Sequence, residues 1–340
     1  MYHGIINVYK EPGYTSHDVV ARLRGILKQK KIGHTGTLDP AAEGVLPVCL
    51  GMGTRLCDML ADRTKTYEAV LLLGCSTDTQ DTTGTILTEN REKALALDPE
   101  TAEKVILGFK GDYDQIPPMY SALKVDGKKL CDLARAGKEV ERKARRVQIL
   151  EISILNMELP RVSIRVTCSK GTYIRTLCDD IGRELGTGGC MEHLLRTRVD
   201  RFLVEDSLKL DEIEQLRDMD GLEEKIYTVE EALEAYPAVY TLPEGDKNLK
   251  NGNPCFRQQL DLLRDARRKS GKMGIGSGFT TAKADSREFI SIRKKNIGGS
   301  PGKCLTWIRI PLRGQPDHEI YRRYHRVSDH RTYHRNTGEI

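Results

Sequence analysis

The chemistry-bearing part of this sequence is centred on one carboxylate. Asp39 sits in Gly33-His34-Thr35-Gly36-Thr37-Leu38-Asp39-Pro40, which runs through Ala41-Ala42-Glu43-Gly44 into the apolar segment 45–51. Three glycines and a proline around one histidine and one aspartate describe a shaped loop rather than a helix or strand interior. Pro40 biases Asp39 towards extended backbone. A carboxylate on such a loop, with an apolar support behind it, can be presented into a cleft as a base or a nucleophile. An isolated Asp-Pro pair would read as a turn.

Other groups with chemical potential lie further along. Lys65-Thr66-Tyr67 opens a strand over 65–74 that sets Tyr67, Ala69, Leu71 and Leu73 on one face. By itself a tyrosine there is a packing residue. Arg175 and Asp179 stand four apart on a helix that follows Ser169-Lys170-Gly171, and on spacing alone they form a surface ion pair of little worth. The acidic, turn-rich stretch 77–84 lacks the ligand spacing of an EF-hand, so no metal site is expected there. Residues 115–146 gather Lys124, Lys128, Lys129, Arg135, Lys138, Arg142, Lys143, Arg145 and Arg146, with Tyr120 at the start and few carboxylates between. Such a run is a solvated face or a surface for a phosphate backbone, where each neutralised phosphate releases counterions.

The elements that must position these groups are partly legible. Residues 4–9 read as a first strand, ended by Lys10-Glu11-Pro12-Gly13. Thr15-Ser16-His17-Asp18 offers caps for a helix with Val19, Val20, Leu23, Ile26 and Leu27 on its apolar face. Its end carries Lys28, Lys30 and Lys31, which suit the helix dipole. Residues 161–168 alternate as a strand with Val162, Ile164, Val166 and Cys168 inward, and the following helix buries Ile174, Leu177, Ile181 and Leu185 before stopping at Gly186. Thr228-Val229-Glu230-Glu231 is a capping box for a short helix ahead of Pro237, after which the chain reads as a linker into a second module.

Composition bounds the class. At 340 residues the chain suits a large domain plus a smaller one, and 39% hydrophobic residues allow a sizeable core. No apolar run approaches the ~18 residues that would span a bilayer, and no signal peptide is visible. Nine scattered cysteines without a CxxC pair predict free thiols in a reducing cytoplasm, not a disulfide framework or a zinc site. The net charge of +5 says less than its clustering. A hydrolase using His34 and Asp39 is disfavoured, because no obvious nucleophilic serine or cysteine motif accompanies these two residues.

Five separated strings, spread over roughly residues 4–235, resemble the TruB-type pseudouridine synthases in content and order. They are the Lys10-x-Pro12-Gly13 string, the Asp39 loop, the Lys65-Thr66-Tyr67 strand with 77–84, Pro117-Pro118-Met119-Tyr120-Ser121-Ala122-Leu123-Lys124, and Cys168 to Leu177. A further segment, 188–199, matches less completely, with Cys190 and Leu195 standing where the family commonly has His and Arg, and Cys131 replaces a common aromatic residue. The resemblance implies an α/β (α+β) fold: a mixed, largely antiparallel sheet with flanking helices over 1–236, its 115–146 segment touching RNA. It also implies a small β-rich PUA-like RNA-binding module over 237–310. The start of that module is suggested by Lys247 to Pro254 and a strand of it by Lys272 to Gly276. Residues 311–340, rich in arginine and histidine, are expected to be a disordered basic tail.

The implied activity is isomerisation of uridine to pseudouridine at position 55 in the T-loop of tRNA, without metal or cofactor and without an obligatory protein partner, by a cytoplasmic monomer. Asp39, Tyr67 and Arg175 are the implied catalytic set, with Arg175 paired to Asp39. Substrate-binding roles are implied for His34, Tyr173, Leu194, Lys10 and Lys170, and Lys10 is also expected to scaffold the Asp39 loop. The alternative reading is a tRNA-binding folding chaperone with little or no catalysis.

Overall fold

The computed structural model describes residues 1–234 and, beyond them, the backbone of four short strands. The chain divides into two compact units, Met1–Val229 and Glu230–Ile340. In the first unit the order begins β1 (Gly4–Lys10), α1 (Ser16–Ile26), β2 (Ile32–His34), β3 (Glu43–Leu50), α2 (Cys57–Ala61) and β4 (Lys65–Leu73). There follow β5 (Cys75–Thr77), β6 (Ile86–Glu89), α3 (Arg91–Leu95), α4 (Pro99–Gly108), β7 (Gly111–Gln115), β8 (Lys124–Val125), β9 (Lys128–Lys129) and α5 (Leu130–Arg135). The rest is β10 (Arg145–Glu158), β11 (Arg161–Cys168), α6 (Ile174–Glu184), β12 (Gly189–Val199), β13 (Phe202–Leu203), α7 (Leu210–Asp218) and β14 (Ile226–Tyr227), with α8 (Val229–Ala232) at the junction.

Ten strands form one sheet in the order β14-β1-β3-β12-β4-β11-β10-β7, with β2 on β3 and β13 on β12. Every pairing is antiparallel except the short parallel seam between β3 and β12, where Leu195 meets Glu43 and Arg196 meets Gly44. The seam needs a glycine. Gly44 has φ +105°, and a Cβ there would sit 2.3 Å from the Arg196 carbonyl oxygen. The seam also separates two cores. One lies between α6 and strands β4, β10, β11 and β12, and holds Leu71, Ile164, Val166 and Leu177. The other lies between α1, α7, β1 and β3, and holds Val8, Leu23, Leu46 and Ile213. A largely antiparallel sheet with helices packed on it is therefore the observed architecture.

Local signals explain the elements next to the seam. Thr15 caps α1 by accepting from the Asp18 backbone while the Asp18 carboxylate accepts from the Thr15 N–H, and Val19, Val20, Leu23 and Ile26 are buried. Strand β4 alternates as its sequence predicts, burying Tyr67, Ala69, Leu71 and Leu73. Strand β11 buries Val162, Ile164, Val166 and Cys168, and α6 ends before Gly186 at φ +67°. The stretch 77–84 is the connection of an antiparallel hairpin, β5 with β6.

In the second unit four strands pair in the order β16 (Leu260–Asp261), β15 (Ala238–Thr241), β17 (Phe289–Arg293), β18 (Thr306–Arg309). The pairing of β15 with β17 is parallel and the other two are antiparallel. The unit division falls at 229/230, a few residues ahead of the boundary expected after 236. Residues 247–254, 272–276 and 311–340, singled out in the sequence, lie outside the described residues.

Candidate active site

The loop from Gly33 to Gly44 crosses the top of the seam and is tied down on every side. The Thr35 N–H and hydroxyl both donate to the Pro47 carbonyl, at 3.1 and 3.2 Å. Ser16 on α1 accepts from the Leu38 N–H at 2.9 Å, and Leu38 itself is buried in the first core. Pro40 accepts from the Gly13 N–H at 2.8 Å. Beneath it the Lys10 ammonium donates to the carbonyls of Glu11, Pro40 and Ala42, at 3.1, 3.1 and 2.6 Å. A loop whose backbone groups are so fully engaged holds its side chains on a rigid support.

Asp39 projects from this loop into a cleft of about 280 Å³. Its partner is Arg175, delivered by the first turn of α6 and almost fully buried. Arg175 Nε lies 3.0 Å from Asp39 Oδ2, and Nη2 donates to Oδ1 at 3.4 Å. The guanidinium is itself clamped. Nη2 also donates to the Tyr120 carbonyl at 2.9 Å, while Nη1 donates to the Thr79 carbonyl at 3.1 Å and lies 3.5 Å from Asp81 Oδ2. Burial pushes the Asp39 pKa above the ordinary carboxylate value, Arg175 pulls it back, and the charge on Asp81 adds to the rise. The Arg175–Asp179 pair suggested by spacing does not form, since Asp179 instead accepts from Gln80 at 3.3 Å.

The apolar walls of the cleft come from the first core, through Leu38, Tyr67, Ile174 and Leu194. Tyr67, Leu194, Tyr173, Tyr120, Lys65 and Arg196 line it together with Asp39 and Arg175. Tyr67 is 7% exposed, and burial pushes its phenol up to about 12. Tyr173 is set by Gln115, which accepts from its N–H at 2.8 Å and donates to its carbonyl at 2.9 Å. Lys65 donates to the carbonyls of Ala61 and Arg63, at 3.0 and 2.8 Å, and burial lowers its pKa to about 8.

The structure therefore brings Asp39, Tyr67, Arg175, Tyr173 and Leu194 into one cleft. His34 stands at the start of the same loop, edge-on to His17 with ring centroids 5.4 Å apart. Burial, His17 and Arg196 lower its pKa, and its Nδ1 is buried without a hydrogen-bond partner. Two of the substrate-side lysines stand elsewhere. Lys10 is closed to solvent and its ammonium is engaged by three carbonyls, so scaffolding the loop is the role its position supports. Lys170 sits outside the cleft, exposed and 2.8 Å from Asp62. Asp81, Lys65 and Arg196 were not picked out from the sequence as site residues. For Arg196 a signal was present, because alternation on a strand puts it on the same face as Leu194.

The basic segment frames the cleft through Tyr120, Ser121 and Ala122. Lys124, Lys128, Lys129, Lys138, Lys143 and Arg145 are exposed along it, whereas Arg135, Arg142 and Arg146 pair with nearby carboxylates. The seven described cysteines are free thiols, and no described helix is long and apolar enough to cross a membrane.

The chain is similar to known proteins over most of its length. The N-terminal domain model of the TruB family pseudouridylate synthases matches residues 24–174, and the model of the tRNA pseudouridylate synthase B C-terminal domain matches residues 175–234. The tRNA pseudouridine synthase B of Lachnoclostridium phytofermentans is 53% identical over 259 residues, covering 74% of this chain and 83% of that protein. That of Staphylococcus haemolyticus is 45% identical over 277 residues, covering 77% and 91%. Among solved structures, one in an H/ACA RNP bound to a substrate RNA containing 2'-deoxyuridine superposes with a TM-score of 0.60 at 26% identity, covering 86% of this chain and 74% of that one. Another, in a Cbf5-Nop10-Gar1 complex, gives 0.58 at 28% identity, covering 86% and 75%. With the Asp39 loop, its arginine and the cleft all in place, the chain belongs to the TruB family of pseudouridylate synthases.

Proposed function

We propose that this protein isomerises uridine to pseudouridine in tRNA, at position 55 of the T-loop. The observation that carries the reading is the Asp39–Arg175 pair at the base of a cleft walled by Tyr67, Tyr173 and Leu194. The target base leaves its stack at a cost of a few kcal/mol. Tyr67 stacks on it inside the cleft, a contact worth about 1–3 kcal/mol. Arg175 keeps Asp39 charged and aimed, and the carboxylate then attacks C1' or removes a proton from C2'. The freed uracil turns and rejoins the sugar through C5, and Tyr67 is the candidate base for the last proton. His34, with its unpartnered Nδ1, fills the space the base leaves.

Outside the cleft, the exposed lysines of 124–143 and Lys170 contact phosphates of the T-stem, with Lys170 exchanging Asp62 for RNA. A PUA-like module over 237–310 adds a second RNA contact, and the protein works in the cytoplasm as a monomer without cofactor. The test is tritium release from a tRNA transcript carrying [5-³H]uridine, with pseudouridine mapped by position. Release that disappears when the T-loop uridine is replaced by cytidine supports the reading. Binding of tRNA without release favours a folding chaperone instead.

A further inference from the structure

Arg196 lines the cleft, yet the roles above leave it without one. It is 1% exposed, and in β12 it stands in register with Tyr67 of β4 and, across the parallel seam, with Gly44 of β3. Its Nε donates to the Val45 carbonyl at 2.7 Å and its Nη1 to the Thr37 carbonyl at 3.4 Å. One guanidinium thus grips the Asp39 loop on both sides of the carboxylate. Its Nη2 is buried without a hydrogen-bond partner, and no ion pair among the described residues gives it a carboxylate. A buried charge without a directly paired carboxylate is costly to keep. The cost is compounded here, because Lys10 and Lys65 are also buried and Arg196 repels both. The Tyr67 phenol lies within its influence, since the guanidinium favours the ionised oxygen against the effect of burial.

We infer that Arg196 is a positioning residue that couples the Asp39 loop to the Tyr67 hydroxyl. Its Nε and Nη1 fix the loop, and Nη2 orients the phenol oxygen, so that carboxylate and ring meet a flipped uridine as one unit. The inference rests on the cleft being the pseudouridylation site. A fixed cation beside the ring also explains why this side chain is an arginine. A lysine ammonium is a single point and cannot reach two carbonyls and a phenol in a planar fork.

The test is a double-mutant cycle on single-turnover pseudouridine formation in a tRNA transcript, using Arg196→Met, Tyr67→Phe and their combination, with tRNA affinity and melting temperature measured alongside. Arg196→Met is expected to slow the step by about tenfold or more in the wild-type background and by a factor about fivefold smaller in the Tyr67→Phe background, where only its hold on the loop is left to lose. Arg196→Lys is expected to recover part of the rate while tRNA affinity stays unchanged. Equal losses in the two backgrounds would show a purely structural hold on the loop and overturn the coupling, as would an unchanged rate in Arg196→Met. If Arg196→Met melts below the assay temperature, the same cycle run with Arg196→Lys decides by the same criterion. Failure of the wild type to form pseudouridine would be a different result, overturning the functional reading on which the inference stands.

Discussion

Arg175 stands 136 positions after Asp39 in the sequence, yet its Nε comes to 3.0 Å of the Asp39 Oδ2. The two side chains reach each other because α6 starts at the end of β11, beneath the loop that β3 and β1 hold in place. The contact opposes the effect of burial on Asp39, so it keeps charged a carboxylate that its surroundings would rather protonate. Replacing Arg175 by methionine is expected to lower kcat by about a hundredfold or more. Activity requires ionised Asp39, and losing the cation raises its pKa further. The acid limb of the rate profile therefore moves to higher pH. Rates of wild type and variant between pH 4 and 9 check both statements.

Asp39→Asn is expected to abolish turnover and raise stability at neutral pH. The folded pKa of Asp39 lies above its unfolded value, so between the two the native state holds more protons and stability falls as pH rises. Above the folded pKa the charged side chain carries its full penalty, which asparagine escapes. Below about 3.9, the ordinary value, wild-type Asp39 is protonated in both states and the advantage vanishes. Melting temperatures of the pair across pH 3.5–8 should diverge as pH increases. A variant that melts lower than wild type at pH 7 would contradict this.

Lys10 has the opposite bias. Burial lowers its pKa to about 8, below the unfolded value of about 10.4, so its contribution to stability improves as pH rises between the two. Lys10→Met removes that dependence, and wild type should gain on the variant from pH 8 to 10. At pH 7 the variant is still expected to be less stable by about 2–3 kcal/mol, because three carbonyls lose their donor. Denaturant unfolding at the two pH values measures both effects.

Lys128 and Lys129 form β9 and are exposed, as are their neighbours Lys124 and Lys138. If they meet phosphates, Lys128→Ala with Lys129→Ala should weaken tRNA binding and reduce the slope of log affinity against log salt by about 1–2. The single-turnover rate at saturating enzyme should hardly change. An unchanged salt slope would return this strand to a solvated face.

Sequence patterns and spatial assembly contributed differently to the site. The supports of Asp39 and Tyr67 were legible in local glycines, a proline and strand alternation, while their functional roles came from the family resemblance. Arg175 had no such local signal, since its spacing to Asp179 pointed to a surface pair that does not form. Asp81 read as part of an acidic hairpin connection, and its place beside Arg175 depends on β5 and β6 folding back towards β12. The parallel seam between β3 and β12 brings together residues some 150 positions apart, which no local period encodes. Arg196 was obscured for the same reason. On a strand its alternation with Leu194 placed it inward, where a charged residue is unusual unless something engages it.

The most direct test is pseudouridine formation in an unmodified tRNA transcript, mapped by position, with purified wild type and Asp39→Asn in parallel at pH 7. Product at the T-loop uridine from wild type, and none from a variant that still binds tRNA, is the predicted result. Product from Asp39→Asn at a rate near that of wild type would contradict the assignment of Asp39 as the catalytic carboxylate.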